Sequence, residues 1–336
     1  MTGQLAQAVK LVREGHRFLL TCHVLPDADA VGSMLGLSAV LRALGKDVYL
    51  YNRDPVPEQL HFLPGVEAVK SSVPVGASFD ATFVTDTAAR SLLPRQFPPA
   101  SVTGPVVILD HHLAHDDFGD VVVRDVRACA TAVVVMELAA ALGMHPLPPA
   151  ASAPLYTALV ADTGGFRYPG TTAETLRTAA DLLDTGVDPW RVASHVFENW
   201  SMARMRLLGL AINAIDTELD GRVAIVTVPL SMLAQAGATD DMAEGLVEYG
   251  RMLKGVEIAV MLWERRPRSD ETLVGATLTR LSLRSAGTAD VSRVAVALGG
   301  GGHRASAGAT LTCDIATARR MVLLEASNEL ARHANY

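Results

Sequence analysis

The chain has 336 residues, 49% hydrophobic and 19% charged, with a formal net charge of −7. That length exceeds one typical domain and the composition is ordinary for a globular protein, so two domains with separate cores are expected. An acidic balance with only 5% aromatic residues counts against a broad basic groove or a long stacking platform, and leaves small anionic substrates held by a few groups.

Cys22, Cys129 and Cys313 sit in apolar stretches without a CxxC pair, which fits reduced thiols rather than a disulfide framework or a zinc ribbon. The first residues, MTGQLAQAVKLVREGHRF, are amphipathic and charged rather than signal-like, and no apolar run reaches the length of a membrane span. A soluble, cytoplasmic protein that does not engage membranes is the expectation.

In chain order, Leu5 to Val12 has helical spacing and Arg17 to Cys22 is a short apolar run of the buried-strand kind. HVLPDADAVGS follows directly and leads into a helix from about Ala30 to Leu44 that stops at Gly45. DVYLY (Asp47 to Tyr51), ATFVT (Ala81 to Thr85), PVVIL (Pro105 to Leu109) and Val121 to Val123 read as the next strands. Strands alternating with helical patterns predict an α/β fold with a mainly parallel sheet, whose ligands bind outside the carboxyl ends of the strands. His23, Asp86 and Asp110 all fall at such ends.

Ala130 to about Ile212 reads as mostly helical, broken at ADTGGFRYPGT. A second strand-rich region begins near Gly221, with RVAIVTV, VEIAVMLWE and LVGATLTRLSL as strands around a polar helical stretch from Thr239 to Leu253. Val291 to Leu298 is helical and runs into GGGGHRASAG, and a last helix spans about Ile315 to Arg332. The expected organisation is a larger α/β domain over 1–189, a helical linker over 190–213 and a smaller α/β domain over 214–336.

His23, Asp27 and Asp29 in HVLPDADAVGS offer imidazole and carboxylate donors on one strand-to-helix turn, as a hard or borderline divalent cation requires. Either Asp alone would read as a helix cap. Asp86 in FVTDTA would be a turn residue by itself, but a two-metal site needs a carboxylate able to bridge both ions. In VVILDHHLAHDD, adjacent His111 and His112 cannot both point the same way, so one can ligate while the other faces substrate, and Asp110 can orient an imidazole through its second nitrogen. His115 reads as an incidental loop residue. Asp162 closes an apolar helix before two glycines, which permit close backbone approach to a ligand. So many acids together would repel one another unless cations neutralise them, so the set predicts metals. Two ions about 3.5–4 Å apart suit in-line phosphoryl displacement.

HVLPDADAVGS, FVTDTA, LDHH and ADTGGF, in this order, resemble the four motifs of the DHH phosphoesterase family, and LSLRS with GGGGHRASAG resembles the DHHA1 domain that accompanies it. The resemblance covers nearly the whole chain, and the length is similar to the compact nano-RNase/pAp phosphatases and cyclic-dinucleotide phosphodiesterases of the family. It implies two Mn²⁺ ions, with Mg²⁺ or Co²⁺ as substitutes. His23, Asp27 and Asp86 would hold one; Asp29, Asp86, His111 and Asp162 would hold the other. Asp110 would support the site from behind, His112 would face the scissile phosphate, and water rather than a side chain would be the nucleophile.

In the second domain, Arg284 of LSLRS offers a forked donor for a terminal phosphate, with Arg280 a weaker candidate. Glycines expose backbone N–H groups to anions, and His303 and Arg304 add polar groups beside them; in the family the equivalents of Arg284, Ser285, Gly301, Gly302 and His303 bind nucleotide. The implied function is hydrolysis of short RNA or DNA oligonucleotides to mononucleotides, and of pAp (3′-phosphoadenosine 5′-phosphate), by an enzyme compatible with a homodimer. The alternatives are a cyclic di-AMP or pApA phosphodiesterase, a pyrophosphatase or polyphosphatase, and a non-catalytic nucleotide sensor.

Overall fold

A computed structural model describes residues 2–94, 96–113, 116, 118–266 and 277–333. His115 and residues 273–276 of the LVGATLTRLSL strand lie outside the described residues. The chain forms two compact units, Met1–Asn199 and Trp200–Tyr336.

The first unit is built on strands β1 (Arg17–Cys22), β2 (Asp47–Tyr51), β3 (Val69–Lys70), β4 (Ala81–Thr85), β5 (Val106–Asp110) and β6 (Val121–Arg124). Their order is β3-β2-β1-β4-β5-β6, with every pairing parallel. Sequence order reverses between β1 and β4, which opens a crevice at the carboxyl ends of those two strands, the usual ligand position in such sheets. β3 was not apparent in the sequence. It is two residues long at the sheet edge, too short to show a period.

The Ala28–Ala43 helix runs through the interior, with Ala30, Val31, Met34, Leu37, Val40 and Leu41 fully buried. It packs against the Pro149–Asp162 helix, and its glycines set the separation. A Cβ on Gly32 would lie 2.5 Å from the Pro154 carbonyl oxygen, and one on Gly36 2.5 Å from the Leu155 side chain. These contacts fix the helix that begins beside Asp29 against the helix that ends at Asp162.

The second unit holds β7 (Ile215–Glu218), β8 (Val223–Val228), β9 (Ile258–Arg265), β10 (Leu278–Ser285), β11 (Gly301–His303) and β12 (Ser306–Leu311) in the order β11-β12-β10-β9-β8-β7. Among the described residues of this unit, only β8 and β9 pair in parallel. One face carries Val223, Ile225, Val260, Leu281 and Leu283, packed with Val291, Val294, Val322 and Ala326 of the Val291–Ala297 and Ile315–His333 helices. On the other, Ala224, Val226, Ala259, Met261 and Trp263 pack with residues of the Met202–Asn213, Leu230–Ala236 and Val247–Arg251 helices.

β7 was also missed, because IDTE is a polar edge strand; Arg319 ties it down through Asp216 (3.1 Å) and Glu218 (2.7 Å). The stretch expected as a linker splits at Asn199, whose φ is 61°: the Pro189–Phe197 helix lies in the first unit and the Met202–Asn213 helix in the second. The GGGGHRASAG segment forms the β11–β12 hairpin. Among the described residues, no helix is long and apolar enough to cross a membrane.

The close approach at Gly32 gives a direct test. Gly32→Val is expected to destabilise the protein by about 1–3 kcal/mol through overpacking. A lower denaturation midpoint at unchanged m-value checks it, and an unchanged midpoint would refute the packing role.

Candidate active site

Three consecutive segments of the sheet end at one place. β1 runs into His23, β4 into Asp86, and β5 ends with Asp110 before His111 and His112. The Ala28–Ala43 helix brings Asp27 and Asp29 with its amino end, and the Pro149–Asp162 helix contributes its last residue. Every metal-site residue expected from the sequence is therefore assembled in the first unit, forming two groups that share Asp86.

In the first group, His23 Nε2 lies 3.9 Å from Asp27 Oδ1 and 3.7 Å from Asp86 Oδ2. In the second, His111 Nε2 lies 3.7 Å from Asp29 Oδ2, 3.7 Å from Asp86 Oδ1 and 3.5 Å from Asp162 Oδ2. Candidate donor atoms of His23, Asp27 and Asp86, and of Asp29, His111 and Asp162, are each mutually within 4.8 Å, as one ion requires. Backbone carbonyls select the imidazole nitrogens. His23 Nδ1 bonds the Val24 carbonyl oxygen (2.8 Å) and His111 Nδ1 that of Ala128 (3.0 Å). Both rings then present Nε2 to the carboxylates, the tautomer control typical of ligating histidines.

His112 is held differently. Its Nδ1 bonds Asp110 Oδ1 at 2.7 Å, and Asp110 is fully buried. Asp27 combines both readings of the sequence, because its Oδ1 caps the helix by accepting from Ala30 N–H (3.0 Å) while facing His23.

Several supports escaped sequence reasoning. Thr131 donates its hydroxyl to Asp86 Oδ1 (2.8 Å) and its N–H to Asp29 Oδ2 (2.7 Å), so the first turn of the Thr131–Ala141 helix faces the carboxylates. Ser33 Oγ donates to Asp29 Oδ1 at 2.8 Å. Asn52 Nδ2 bonds the His23 carbonyl oxygen (2.9 Å), and Asp54 accepts the N–H of Leu25, whose φ is 55°. The only sequence signal for Thr131 was a hydroxyl residue opening a helix, which is ordinary. Gly164 and Gly165 serve the chain more than a ligand, with φ of 58° and 70° in the turn and the Tyr168 ring against Gly164.

The charges are strongly coupled. Burial by itself would lower the His23 and His112 values, but Asp86 and Asp27 carry His23 up to about 9, and Asp110 with Asp86 carries His112 up to about 10. His111 is raised against burial by Asp29, Asp86 and Asp162. Asp86 is buried, which would raise it, yet the three imidazoles hold it well below the usual carboxylate range. Asp29 is raised by burial and by Asp86. Asp162 is pushed up to about 7 by desolvation and by Asp86 and Asp27, despite His111. Without cations, then, imidazolium protons balance the cluster; its N/O donors and lack of thiolate suit a divalent ion that would replace them.

The remaining expected residues lie in the second unit. Arg284 on β10 pairs with Ser306 on β12, which pairs with His303 on β11, so all three occupy one cross-strand row. Arg284 Nε donates to Glu248 Oε1 at 2.7 Å. Ser285 is buried, and its Oγ accepts the Gly287 N–H (3.3 Å). Arg304 is exposed and donates to the Thr288 carbonyl oxygen (2.7 Å). A Cβ on Gly300 would collide with the Gly308 carbonyl, and one on Gly302, where φ is 137°, would lie 2.5 Å from Ala307 Cα. Those glycines therefore serve strand approach, whereas a Cβ on Gly301 would meet open space. Arg280 stacks over Trp263 at 4.9 Å.

Residues 17–160 match the DHH family, N-terminal domain. The chain is 34% identical to the bifunctional oligoribonuclease and PAP phosphatase NrnA of Thermus thermophilus, over 97% of this chain and 94% of the relative. It is 26% identical to the protein of the same description from Bacillus subtilis, over 87% of this chain and 88% of that one. An exopolyphosphatase-related protein from Bacteroides fragilis shares the fold, with a TM-score of 0.86 at 22% identity over 98% of this chain and 96% of that structure. The chain belongs to the DHH family of phosphoesterases, among its NrnA-type members.

Proposed function

We propose that the protein is a metal-dependent hydrolase that cleaves short oligoribonucleotides to mononucleotides and converts pAp to AMP. The observation that carries this reading is the position of Asp86, shared between two donor groups that face it from either side. The 34% identical relative, described as both an oligoribonuclease and a PAP phosphatase, supports the substrate class.

His23, Asp27 and Asp86 would hold one Mn²⁺, and Asp29, Asp86, His111 and Asp162 the other. When bound, the pair would supply an activated water and neutralise charge on the phosphoryl oxygens. The chain's own part is positional. The Val24 and Ala128 carbonyls fix His23 and His111 with Nε2 toward the carboxylates. Thr131 and Ser33 hold Asp86 and Asp29 so that neither carboxylate turns away. Asp110 anchors His112 by accepting from Nδ1–H, so the imidazolium form of the ring presents Nε2–H to the phosphate or the leaving oxygen. In the second unit, Arg284 and His303 would grip the nucleotide, and a grip on a terminal phosphate would favour very short chains.

Asp86→Ala is expected to abolish both Mn²⁺ retention, measured by elemental analysis, and turnover; an active variant would refute the bridging role. Asp110→Asn is expected to keep its metal and lose about 10–100-fold in kcat, as for other groups that orient an active-site histidine. Unchanged kcat would remove Asp110 from the mechanism. Chromatographic analysis of pAp, pApA, an RNA 5-mer and a 40-mer with Mn²⁺ is expected to show products from the first three and a much slower 40-mer. Equal rates on 5-mer and 40-mer would rule out the length preference, and binding of pApA without product would identify a sensor instead.

A further inference from the structure

The turn after Asp162 carries a strained backbone that the metal-site residues do not require. Asp162 is the last residue of its helix, so its position is set before the chain enters the turn. Gly164, Gly165 and Phe166 then stand in succession in the left-handed region, with φ of 58°, 70° and 64°. Glycine adopts that conformation freely, whereas the Cβ of Phe166 opposes it, so the surroundings must hold Phe166 there. Its N–H donates to Thr163 Oγ1 (3.1 Å), and its ring meets Tyr156 at a centroid distance of 6.5 Å. The N–H groups of Arg167 and Tyr168 both return to the Thr163 carbonyl oxygen at 3.0 Å. The chain is thereby reversed, and Arg167 comes back to the end of the helix that carries Asp162.

The Arg167 side chain is oriented by two contacts. Its Nε donates to the Gly164 carbonyl oxygen at 2.5 Å, and its guanidinium lies over the Phe197 ring, 5.7 Å from the centroid. Phe197, at the end of the Pro189–Phe197 helix, sits where Gly165 leaves room: a Cβ there would be 3.3 Å from Phe197 Cε2. A carbonyl and an aromatic face orient the guanidinium without cancelling its charge. Among the described residues no carboxylate pairs with it, and its Nη groups have no acceptor. Arg167 is exposed, and the acid cluster opens to solvent on the same turn: the Asp162 side chain is 36% exposed, against 2% for Asp29 and 4% for Asp86. An anion arriving at Asp162 therefore meets an oriented cation with unused donors.

The geometry points to Arg167 as a catalytic residue that donates through Nη to a non-bridging oxygen of the phosphate under attack. In-line displacement spreads charge over the oxygens of the transferring phosphoryl group, and a planar fork suits them. Because the side chain is already ordered, little freedom is lost when phosphate binds, and the strain at Phe166 serves that ordering. The attacked phosphate is common to every substrate, so the contact serves pApA and pAp alike. This deepens the proposed function and rests on it for the reaction being measured.

The test compares kcat for pApA and pAp in Mn²⁺-loaded full-length wild type, Arg167→Met and Arg167→Lys, with thermal melting and elemental analysis for Mn²⁺. Arg167→Met keeps the apolar stem over Phe197 and removes charge and fork. It is expected to retain its metal and lose about 100-fold in kcat on both substrates, the scale of one oriented donor to a developing oxyanion. Arg167→Lys, which keeps the charge without the fork, should fall between. Unchanged kcat in Arg167→Met, or a loss confined to pApA, would overturn the assignment. If Arg167→Met melts early or loses Mn²⁺, Arg167→Lys decides: lowered kcat with intact fold and metal supports the contact, and wild-type kcat overturns it. If wild type cleaves neither substrate, the proposed function fails, and Arg167 is judged by calorimetric binding of inorganic phosphate to the Mn²⁺-loaded protein. Roughly tenfold weaker binding in Arg167→Met supports the contact there, and equal affinity overturns it.

Discussion

The first unit is organised around a buried carboxylate that three imidazoles face. Asp86 is 3% exposed and stands at the end of β4 with a left-handed φ of 54°, a conformation that Asp tolerates better than most side chains. An unpaired charge in that position would cost several kcal/mol. His23, His111 and His112 each approach within 3.7 Å, and Thr131 supplies a hydroxyl, so the charge is fully surrounded. Those groups reach Asp86 from three elements: His23 from the end of β1, His111 and His112 from the end of β5, and Thr131 from the start of the Thr131–Ala141 helix. The parallel sheet with its reversal between β1 and β4 is what lets them converge.

The same convergence explains the protonation pattern. Asp29, Asp86 and Asp162 share a small, largely desolvated volume with His23, His111 and His112, so these six groups titrate together. Asp86 takes the charge, Asp29 and Asp162 are pushed toward neutrality, and the histidines hold protons more tightly than free imidazole. Cations occupying the two donor groups would take over the balancing role of those protons, which couples metal affinity to pH.

Close backbone packing is the second recurring device. Gly32 and Gly36 bring two helices together so that Asp29 and Asp162 reach the same imidazole, and Gly300, Gly302 and Gly308 let β11, β12 and β10 approach one another. In both units glycine acts at a distance from the chemistry, by setting where neighbouring elements can lie. The glycine-rich motif of the second unit is therefore mainly a strand-pairing device, and the polar row of Arg284, Ser306 and His303 follows from the register it permits.

The sequence by itself determined the parallel sheet, the strand ends and the acids and histidines that those ends bring together. Hydrophobic runs ending in His23, Asp86 and Asp110 are local signals, and the motif order identified their family. Strands β3 and β7 were illegible because short or polar edge strands owe their structure to a neighbour rather than to their own pattern. Only the tertiary structure decided which atoms meet: that Asp27 caps a helix and faces His23 with the same oxygen, that Thr131 reaches across 45 residues to Asp86, and that Glu248 ties Arg251 to Arg284. Those contacts join segments far apart in the chain through single hydrogen bonds, and no periodicity or local spacing carries that information.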